Sequence, residues 1–301
     1  MREDLVNRFK GFRSGFVMLA GAPNVGKSTL LNRMLGEKVS ITSSKAQTTR
    51  NRILGVLHRN GAQLVFLDTP GVHKATQALN VRMVDVALTA MGDADLILFM
   101  VDLKSPDPDA EAFVLEKLRQ QERPVVLVLN KIDQVRPGAV LQTIDHWRTT
   151  YPFQAIVPIS AKHGHQVDEL IQEMVDLMPE GPPFFPEDAV TDMPERFIAA
   201  EMIREKVFRL TGQEIPYATA VTVESFKEKE GMVTIHATIH VERSSQKAIV
   251  IGREGAKLRQ IGQAAREDLE RMLGTRVFLK LFVRVQKNWS RDTRALRKFG
   301  Y

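Results

Sequence analysis

Short apolar runs alternate with amphipathic or polar stretches along this chain, and their spacing predicts its elements. Phe16–Ala20 is an apolar run that stops at a glycine-rich loop, and Thr29–Leu35 reads as the start of a helix. Asn51–His58 and Gln63–Leu67 read as strands around a turn at Asn60-Gly61. Leu96–Val101, Pro124–Leu129 and Ala155–Ile159 are further apolar runs, separated by helical patterns around Ala110–Arg119, Leu141–Thr149 and Val167–Leu177. Alternating strands and helices of this kind predict an α/β domain, a mostly parallel sheet covered on both faces. A ligand is then expected at the carboxyl ends of the strands.

The pattern changes near residue 178. Met178–Pro194 holds Pro179, Pro182, Pro183, Pro186, Pro194 and Gly181, which cannot continue a helix and read as a semi-rigid linker. Beyond it, Ile198, Met202, Val207 and Leu210 give one helix an apolar side. Tyr217–Phe226 and Met232–Val241 read as strands; in the second, Val233, Ile235, Ala237, Ile239 and Val241 share a face. Gln246–Ile251 is a short helix and Ala256–Leu273 a longer one, with Leu258, Ile261, Ala265, Leu269 and Met272 at helical spacing. Val277–Val285 alternates again and returns to a sheet. A length of 301 residues accommodates both regions as separate domains, the second a smaller α+β unit.

Charge sharpens this division. The first 194 residues carry 21 Lys/Arg against 23 Asp/Glu, whereas residues 195–301 carry 21 against 13. From Ser244 onward the count is 14 against 5. A basic rear points to nucleic acid or an anionic membrane surface without choosing between them. The absence of cysteine excludes disulfides, cysteine metal sites and thiol catalysis, and fits a reducing interior such as the cytoplasm. The polar N-terminus lacks the apolar core of a secretory signal, and no run of 18 apolar residues is present.

The candidate chemistry begins at Gly21-Ala22-Pro23-Asn24-Val25-Gly26-Lys27-Ser28-Thr29, a phosphate-binding loop between a strand and a helix. Backbone N–H groups and the positive end of the helix would face the phosphates. Lys27 would reach the β- and γ-phosphates, and Ser28 would ligate Mg²⁺. Asp68-Thr69-Pro70-Gly71 follows a strand, so Asp68 can help hold the metal and the N–H of Gly71 can approach a γ-phosphate. Val72 comes next. Asn130-Lys131-Ile132-Asp133 suits a guanine edge: a carboxylate accepts from N1–H and the exocyclic amine, donors adenine lacks there. Asn130 would bond the base edge, the Lys131 stem would pack along the ring, and Ser160-Ala161-Lys162 would offer an N–H to O6. The ordered series, rather than any single string, specifies GTP and GDP.

These motifs resemble a translation-factor-class GTPase domain over residues 16–178. The segment Lys45-Ala46-Gln47-Thr48-Thr49-Arg50 resembles that of the Era family of ribosome-assembly GTPases. The resemblance implies that Thr49, with Thr48 as the second choice, senses the metal, giving Ser28, Thr49 and Asp68 as the metal set. Lys27, Thr49, Asp68 and Gly71 are then the catalytic candidates. Asn24 matches an asparagine that helps hold K⁺ in related potassium-stimulated GTPases; a loop or capping role is the alternative. The Ras-like glutamine that orients water is replaced by Val72, which can neither donate nor accept a hydrogen bond, and the adjacent His73 does not supply an evident substitute.

The rear order of helix, two strands, helix, G-x-x-G, helix, strand resembles a type II KH domain over residues 195–287. Gly252-Arg253-Glu254-Gly255 would clamp a single-stranded RNA backbone. Arg253, Lys257 and Lys247 would supply charge, and Ile249 and Ile251 an apolar groove. Val241–Lys247 and the tail Lys287-Asn288-Trp289-Ser290 strengthen the Era resemblance. It implies a partner in small-subunit ribosomal RNA near its 3′ end, help in small-subunit assembly, a monomer, and peripheral contact with the bacterial inner membrane. A GTP-regulated membrane scaffold and a partner in RNA modification remain the alternatives. Trp289 would either stack on a base or pack against its own domain. The division expected is 1–15 extension, 16–178 GTPase domain, 179–194 linker, 195–287 KH domain and 288–301 basic tail.

Overall fold

A computed structural model of the chain describes residues 9–43, 45, 48–71, 78–212 and 214–301. Ala46, Gln47, Val72, His73 and the first eight residues, which include most of the expected N-terminal extension, lie outside the described residues. Contacts group the chain into two units. The first holds residues 1–40, 49–75 and 83–192; the second holds 41–48, 76–82 and 193–301.

The first unit is built on a six-stranded sheet in the order β2-β3-β1-β4-β5-β6. Its strands are β1 (Arg13–Gly21), β2 (Ile53–Arg59), β3 (Ala62–Asp68), β4 (Leu96–Asp102), β5 (Val125–Asn130) and β6 (Ala155–Ile159). All neighbours run parallel except the β2–β3 pair, whose turn at Asn60-Gly61 makes them antiparallel. The apolar runs are continuous because both faces are covered. On one face Val17, Leu19, Leu64, Phe66, Leu98 and Val128 pack against helices α1 (Lys27–Leu35) and α5 (Val167–Leu177). On the other, Met18, Ala20, Val65, Leu67, Phe99 and Leu127 pack against α2 (Ala78–Asp93), α3 (Pro108–Leu118) and α4 (Pro137–Thr150). Asp107 caps α3 by accepting from the Ala110 N–H at 3.1 Å, with Pro108 at the first helical position.

The proline-rich segment is tied down along this sheet. Val56 N–H bonds the Val190 carbonyl at 2.8 Å, and Thr191 Oγ1 donates to the Leu54 carbonyl. Gln63, fully buried, accepts from the N–H groups of Phe184 and Phe185 and donates to the Phe185 carbonyl. Proline denies this stretch a helix, and the edge strand supplies the hydrogen-bond partners it would otherwise lack.

The second unit contains α6 (Glu195–Leu210), β7 (Ala220–Lys229), β8 (Met232–Val241), α7 (Ser244–Ile251), α8 (Ala256–Leu273), β9 (Arg276–Val285) and α9 (Thr293–Lys298). The sheet order is β7-β8-β9, with β7 antiparallel and β9 parallel to β8. Its inner face places Ile235, Ala237, Ile239 and Val241 against Ile203 and Val207 of α6 and Ile261 and Ala265 of α8. Charges are also buried here. Lys206 of α6 pairs with Asp268 of α8, and Arg204 pairs with Glu201 while donating to the Thr48 carbonyl. Glu205 accepts from the Thr42 N–H at 3.0 Å, which accounts for residues 41–48 grouping with this unit.

Trp289 is fully buried; its Nε1 donates to the Ala218 carbonyl at 3.0 Å, and Phe299 meets it edge-on. Of its two expected roles the structure selects packing, since no ring face is left for a base. Among the described residues no helix is long and apolar enough to cross a membrane.

Candidate nucleotide site and candidate nucleic-acid interface

Strand β1 ends at Gly21 and helix α1 begins at Lys27, so residues 22–26 form the turn between them. Asn24 (φ 65°) and Gly26 (φ 107°) adopt left-handed conformations that bend the chain. Gly26 is required sterically as well: a Cβ there would lie 2.3 Å from Asn130 Nδ2. Lys27 is buried, and its Nζ donates to the carbonyls of Gly21 at 3.0 Å and Ala22 at 2.9 Å. Burial lowers its pKa to about 8, with nearby Asp68 opposing that shift. The loop therefore holds a cation at its centre.

Behind it lies a knot of oxygen ligands. Ser28 Oγ donates to Asp68 Oδ2 at 2.6 Å, Ser40 Oγ donates to the same oxygen at 2.7 Å, and Thr49 Oγ1 lies 2.9 Å from Ser28 Oγ. Asp68 is fully buried, and its Oδ1 has no hydrogen-bond partner among the described residues. Burial raises its pKa against the pull of Ser28, Ser40 and Lys27. A buried carboxylate with one orphaned oxygen beside three hydroxyls fits a hard divalent cation that takes oxygen ligands. Thr49, rather than Thr48, reaches this knot; Thr48 Oγ1 instead donates to the Lys45 carbonyl at 2.6 Å. Thr69 Oγ1 anchors the next segment to the Leu19 carbonyl, and Pro70 carries it to Gly71. A Cβ on Gly71 would lie 2.6 Å from Pro23 Cα and N, so that glycine closes directly against the phosphate loop.

The base-recognition motifs converge from β5 and β6. Asn130 is buried and works as a three-way staple. Its Nδ2 donates to the Val25 carbonyl at 2.7 Å, and its Oδ1 accepts from the N–H groups of Ala161 at 3.0 Å and Lys131 at 2.8 Å. The sequence puts Asn130 on the base edge and takes a backbone N–H of Ser160-Ala161-Lys162 for O6. Here the Asn130 amide and the Ala161 N–H also join the phosphate loop, β5 and β6, with one Asn130 amide N–H left over. Lys131 takes a left-handed conformation (φ 70°) and lays its Nζ on the Asn24 carbonyl at 3.0 Å and on Asp102. Ile132 opens the short turn that presents Asp133. Ser160 Oγ donates to Asp133 Oδ1 at 2.6 Å, and that bond holds the Asp133 carboxyl below the usual carboxylate range. Arg33 of α1 steadies the last motif by donating to the Lys162 carbonyl.

Ser40, Asp102 and Arg33 were not anticipated. Asp102 carried a signal: like Asp68, it closes an apolar strand at the carboxyl edge of the sheet, directly opposite Asn130. Ser40 carried none, being an ordinary serine in an irregular stretch.

The second unit carries the glycine loop. Gln246 Oε1 accepts from the N–H groups of Glu242 and Arg243, starting α7. Val250 is its buried residue; Ile249 is half exposed, and Ile251 and Lys247 are intermediate. Gly252 (φ 71°), Glu254 (φ 50°) and Gly255 (φ 77°) turn the chain sharply into α8. Gly252 is needed for close approach, since a Cβ there would lie 2.6 Å from Lys257 Cβ. Arg253 and Glu254 are exposed beside the N-terminus of α8, whose dipole end suits a phosphate. Beyond the loop opens a cavity of about 540 Å³, lined by Gly255, Leu258, Arg259, Gly262, Gln263, Arg266 and Leu279–Leu281. Its apolar floor is Leu258, Leu279 and Leu281; Arg259, Gln263 and Arg266 were not named from sequence because they read as an ordinary solvated helix face.

A family model described as a 50S ribosome-binding GTPase matches residues 16–131, and a KH domain model matches residues 214–290. The GTPase Era of Geobacter metallireducens is 56% identical over 292 residues, covering 96% of this chain and 98% of that protein. The GTPase Era of Geotalea uraniireducens is 55% identical, covering 97% and 99%. Two solved structures superpose with a TM-score of 0.93 at 43% identity, covering 96% of this chain and 99% of each of theirs. One is a single-substitution variant of Aquifex aeolicus Era bound to GDP·AlF4⁻; the other is Era in complex with MgGDPNP and nucleotides 1506–1542 of 16S ribosomal RNA. A built phosphate loop, an oxygen-ligand knot and an Asp133 carboxyl held by Ser160 in one unit, a KH fold in the other, and full-length similarity of this order place the chain in the Era family of GTPases.

Proposed function

We propose that this GTPase binds small-subunit ribosomal RNA near its 3′ end and assists assembly of the small ribosomal subunit. The single observation that carries this is the glycine loop at the head of α8 opening onto a basic-edged, apolar-floored groove of about 540 Å³. Such a groove takes a few unstacked nucleotides, with phosphates at the loop and bases on the floor. The related Era complex, which holds nucleotides 1506–1542 of 16S RNA, supplies the candidate RNA. We assign GTP binding to residues 16–178 and RNA binding to residues 195–287, with Arg253, Lys257 and Lys247 on phosphates and Ile249 and Ile251 beside the bases.

In the hydrolytic step water attacks the γ-phosphorus as the bond to the bridging oxygen of GDP breaks. Catalysis here is positioning and charge stabilisation. Lys27 reaches the phosphate oxygens, and the N–H groups of Ala22, of residues 24–28 and of Gly71 face the same charge. Ser28, Thr49 and Asp68 would hold Mg²⁺, which supplies further positive charge beside the β- and γ-phosphates. Asp133 accepts from the guanine donors. Lys131 flanks the base, and Asn130 fixes the loop against the pocket. Asn24, exposed on the left-handed turn, is our candidate K⁺ ligand. Turnover that is equal in K⁺ and Na⁺ at matched ionic strength removes that role.

Crosslinking and sequencing of RNA bound to the full chain tests the main reading. Crosslinks are expected to concentrate at the 3′ end of small-subunit RNA. Crosslinks concentrated on transfer RNA would instead support the RNA-modification alternative.

A further inference from the structure

We infer that the outer face of the β7-β8-β9 sheet is a second single-stranded RNA platform, on which Phe278 and Phe282 stack bases after the strand leaves the groove. This rests on the RNA reading above and extends it to a different surface.

The observation begins with the alternation of β9. Val277, Leu279, Leu281 and Val283 turn inward to the helices, which forces Arg276, Phe278, Lys280, Phe282 and Arg284 onto the opposite face. Phe278 is 52% exposed and Phe282 45% exposed. Neither is needed for the core, yet both are large aromatics separated by roughly 13 Å along one strand. The residues between and beside them are cationic, and Lys280 Nζ sits 5.3 Å from the Phe282 ring centroid. Across the ladder Phe278 pairs with Thr234, Lys280 with His236 and Phe282 with Thr238. Aromatic faces framed by cations and small polar groups on a sheet face match stacked bases, their edges and their phosphates. The nearby acid Glu224 is occupied by the Thr238 hydroxyl at 2.7 Å.

A path joins the two surfaces. Among the described residues β9 is an edge strand, with no neighbour on one side within its sheet. Arg266 lines the groove cavity and also a second cavity of about 640 Å³, which it shares with Arg276 and Phe278. Glu270 lines that cavity too, but its Oε1 accepts the Val277 N–H at 3.0 Å. A strand clamped at the glycine loop can thus run along the groove, pass Arg266 at the end of β9, and reach Phe278. An anionic membrane would also favour cations with aromatics. It would, however, strand Thr234 and His236 among acyl chains without partners, whereas base edges satisfy them.

The test uses the full chain and two RNAs: the 1506–1542 segment of 16S RNA, and an oligonucleotide of about four nucleotides that fills only the groove. Phe278→Leu plus Phe282→Leu keeps the apolar area but removes the stacking faces. We expect it to weaken the long RNA by roughly 5- to 150-fold for each ring, and to leave the short RNA unchanged. Phe278→Tyr plus Phe282→Tyr should restore the long RNA. If the leucine protein loses its cooperative thermal transition, Arg276→Glu replaces it and should weaken the long RNA alone. Unchanged long-RNA affinity in the leucine protein overturns the platform. The groove reading survives that result if Arg253→Glu plus Lys257→Glu still weakens binding and lowers its salt slope, and falls if it does not. Sedimentation with phosphatidylglycerol vesicles that the leucine protein retains and Phe278→Ala plus Phe282→Ala loses, with RNA unaffected, would assign the face to membrane and overturn the proposal.

Discussion

The two candidate sites are built on opposite principles. In the nucleotide unit almost every motif residue is already bonded to another. Lys27 holds the loop carbonyls, Ser28 and Ser40 hold Asp68, Asn130 holds Val25 and Ala161, and Ser160 holds Asp133. In the KH unit the loop residues Arg253 and Glu254 project into solvent, and recognition falls to charge, a groove floor and backbone shape. A triphosphate concentrates charge at one point, where preorganised dipoles and a buried cation act most strongly. An RNA strand spreads its charge along a line, where exposed cations gain by releasing counterions. The first site should break sharply when one residue is lost; the second should weaken in proportion.

The sharpest break is expected at Lys27. Lys27→Ala removes the buried ammonium that the loop is built around, and GTP turnover should fall by roughly 10²- to 10³-fold. A single-turnover assay at saturating nucleotide separates this from lost affinity. A fall of only a few-fold would mean that the loop N–H groups alone hold the transferring phosphate, which undoes the contrast drawn above.

Asp133→Asn comes next. It removes a carboxylate kept ionised by Ser160, along with two charge-assisted bonds to guanine, so GTP affinity should drop by roughly 10- to 100-fold. Competition titrations should show xanthine nucleotides gaining what guanine loses. Equal losses for both bases would indicate damage to the turn rather than a lost base contact.

A smaller effect comes from His240, buried beside Phe299. Burial and the Arg284 charge lower its pKa from 6.5 to about 4, with Lys298 adding to the shift and Glu224 opposing it. The folded state therefore resists protonation more than the unfolded chain. Stability from this group is fully present above about pH 6.5 and is lost as pH falls toward 4, on the order of 2–3 kcal/mol in all. Denaturation followed by Trp289 fluorescence in a Trp147→Phe background should show this slope, and His240→Gln should flatten it. An unchanged slope would place the acid sensitivity elsewhere.

Much of this was legible in the sequence because phosphate and guanine chemistry impose fixed residue types at fixed spacings. The loop at 21–29, Asp68 and Asp133 were found on those grounds, and the strands on their apolar runs. Partner choice inside the site was not legible. Asn130 reads from sequence as a base contact, but only the three-dimensional arrangement shows it also bonding the Val25 carbonyl and the Ala161 N–H. The same holds for Gln63. It looks like one polar residue in a strand, yet it anchors the proline-rich segment through bonds to residues about 120 positions away. The helix α6 was read by its apolar side alone; that Arg204, Glu205 and Lys206 are buried depends on long-range partners with no sequence period. Trp289 was undecided for the same reason, since Ala218, which accepts its N–H, lies 71 residues upstream.

The claim that one chain joins a wired GTP site to an open RNA site is tested most directly by measuring both ligands on one variant. Arg253→Glu plus Lys257→Glu leaves the glycines intact and so spares the turn. Affinity for the 16S 3′-terminal RNA is measured across a salt series, with GTP affinity measured in the same samples. The account predicts that RNA binding weakens and its salt slope falls by about one to two, while GTP affinity is unchanged. RNA affinity and slope equal to those of the unmodified protein would contradict it.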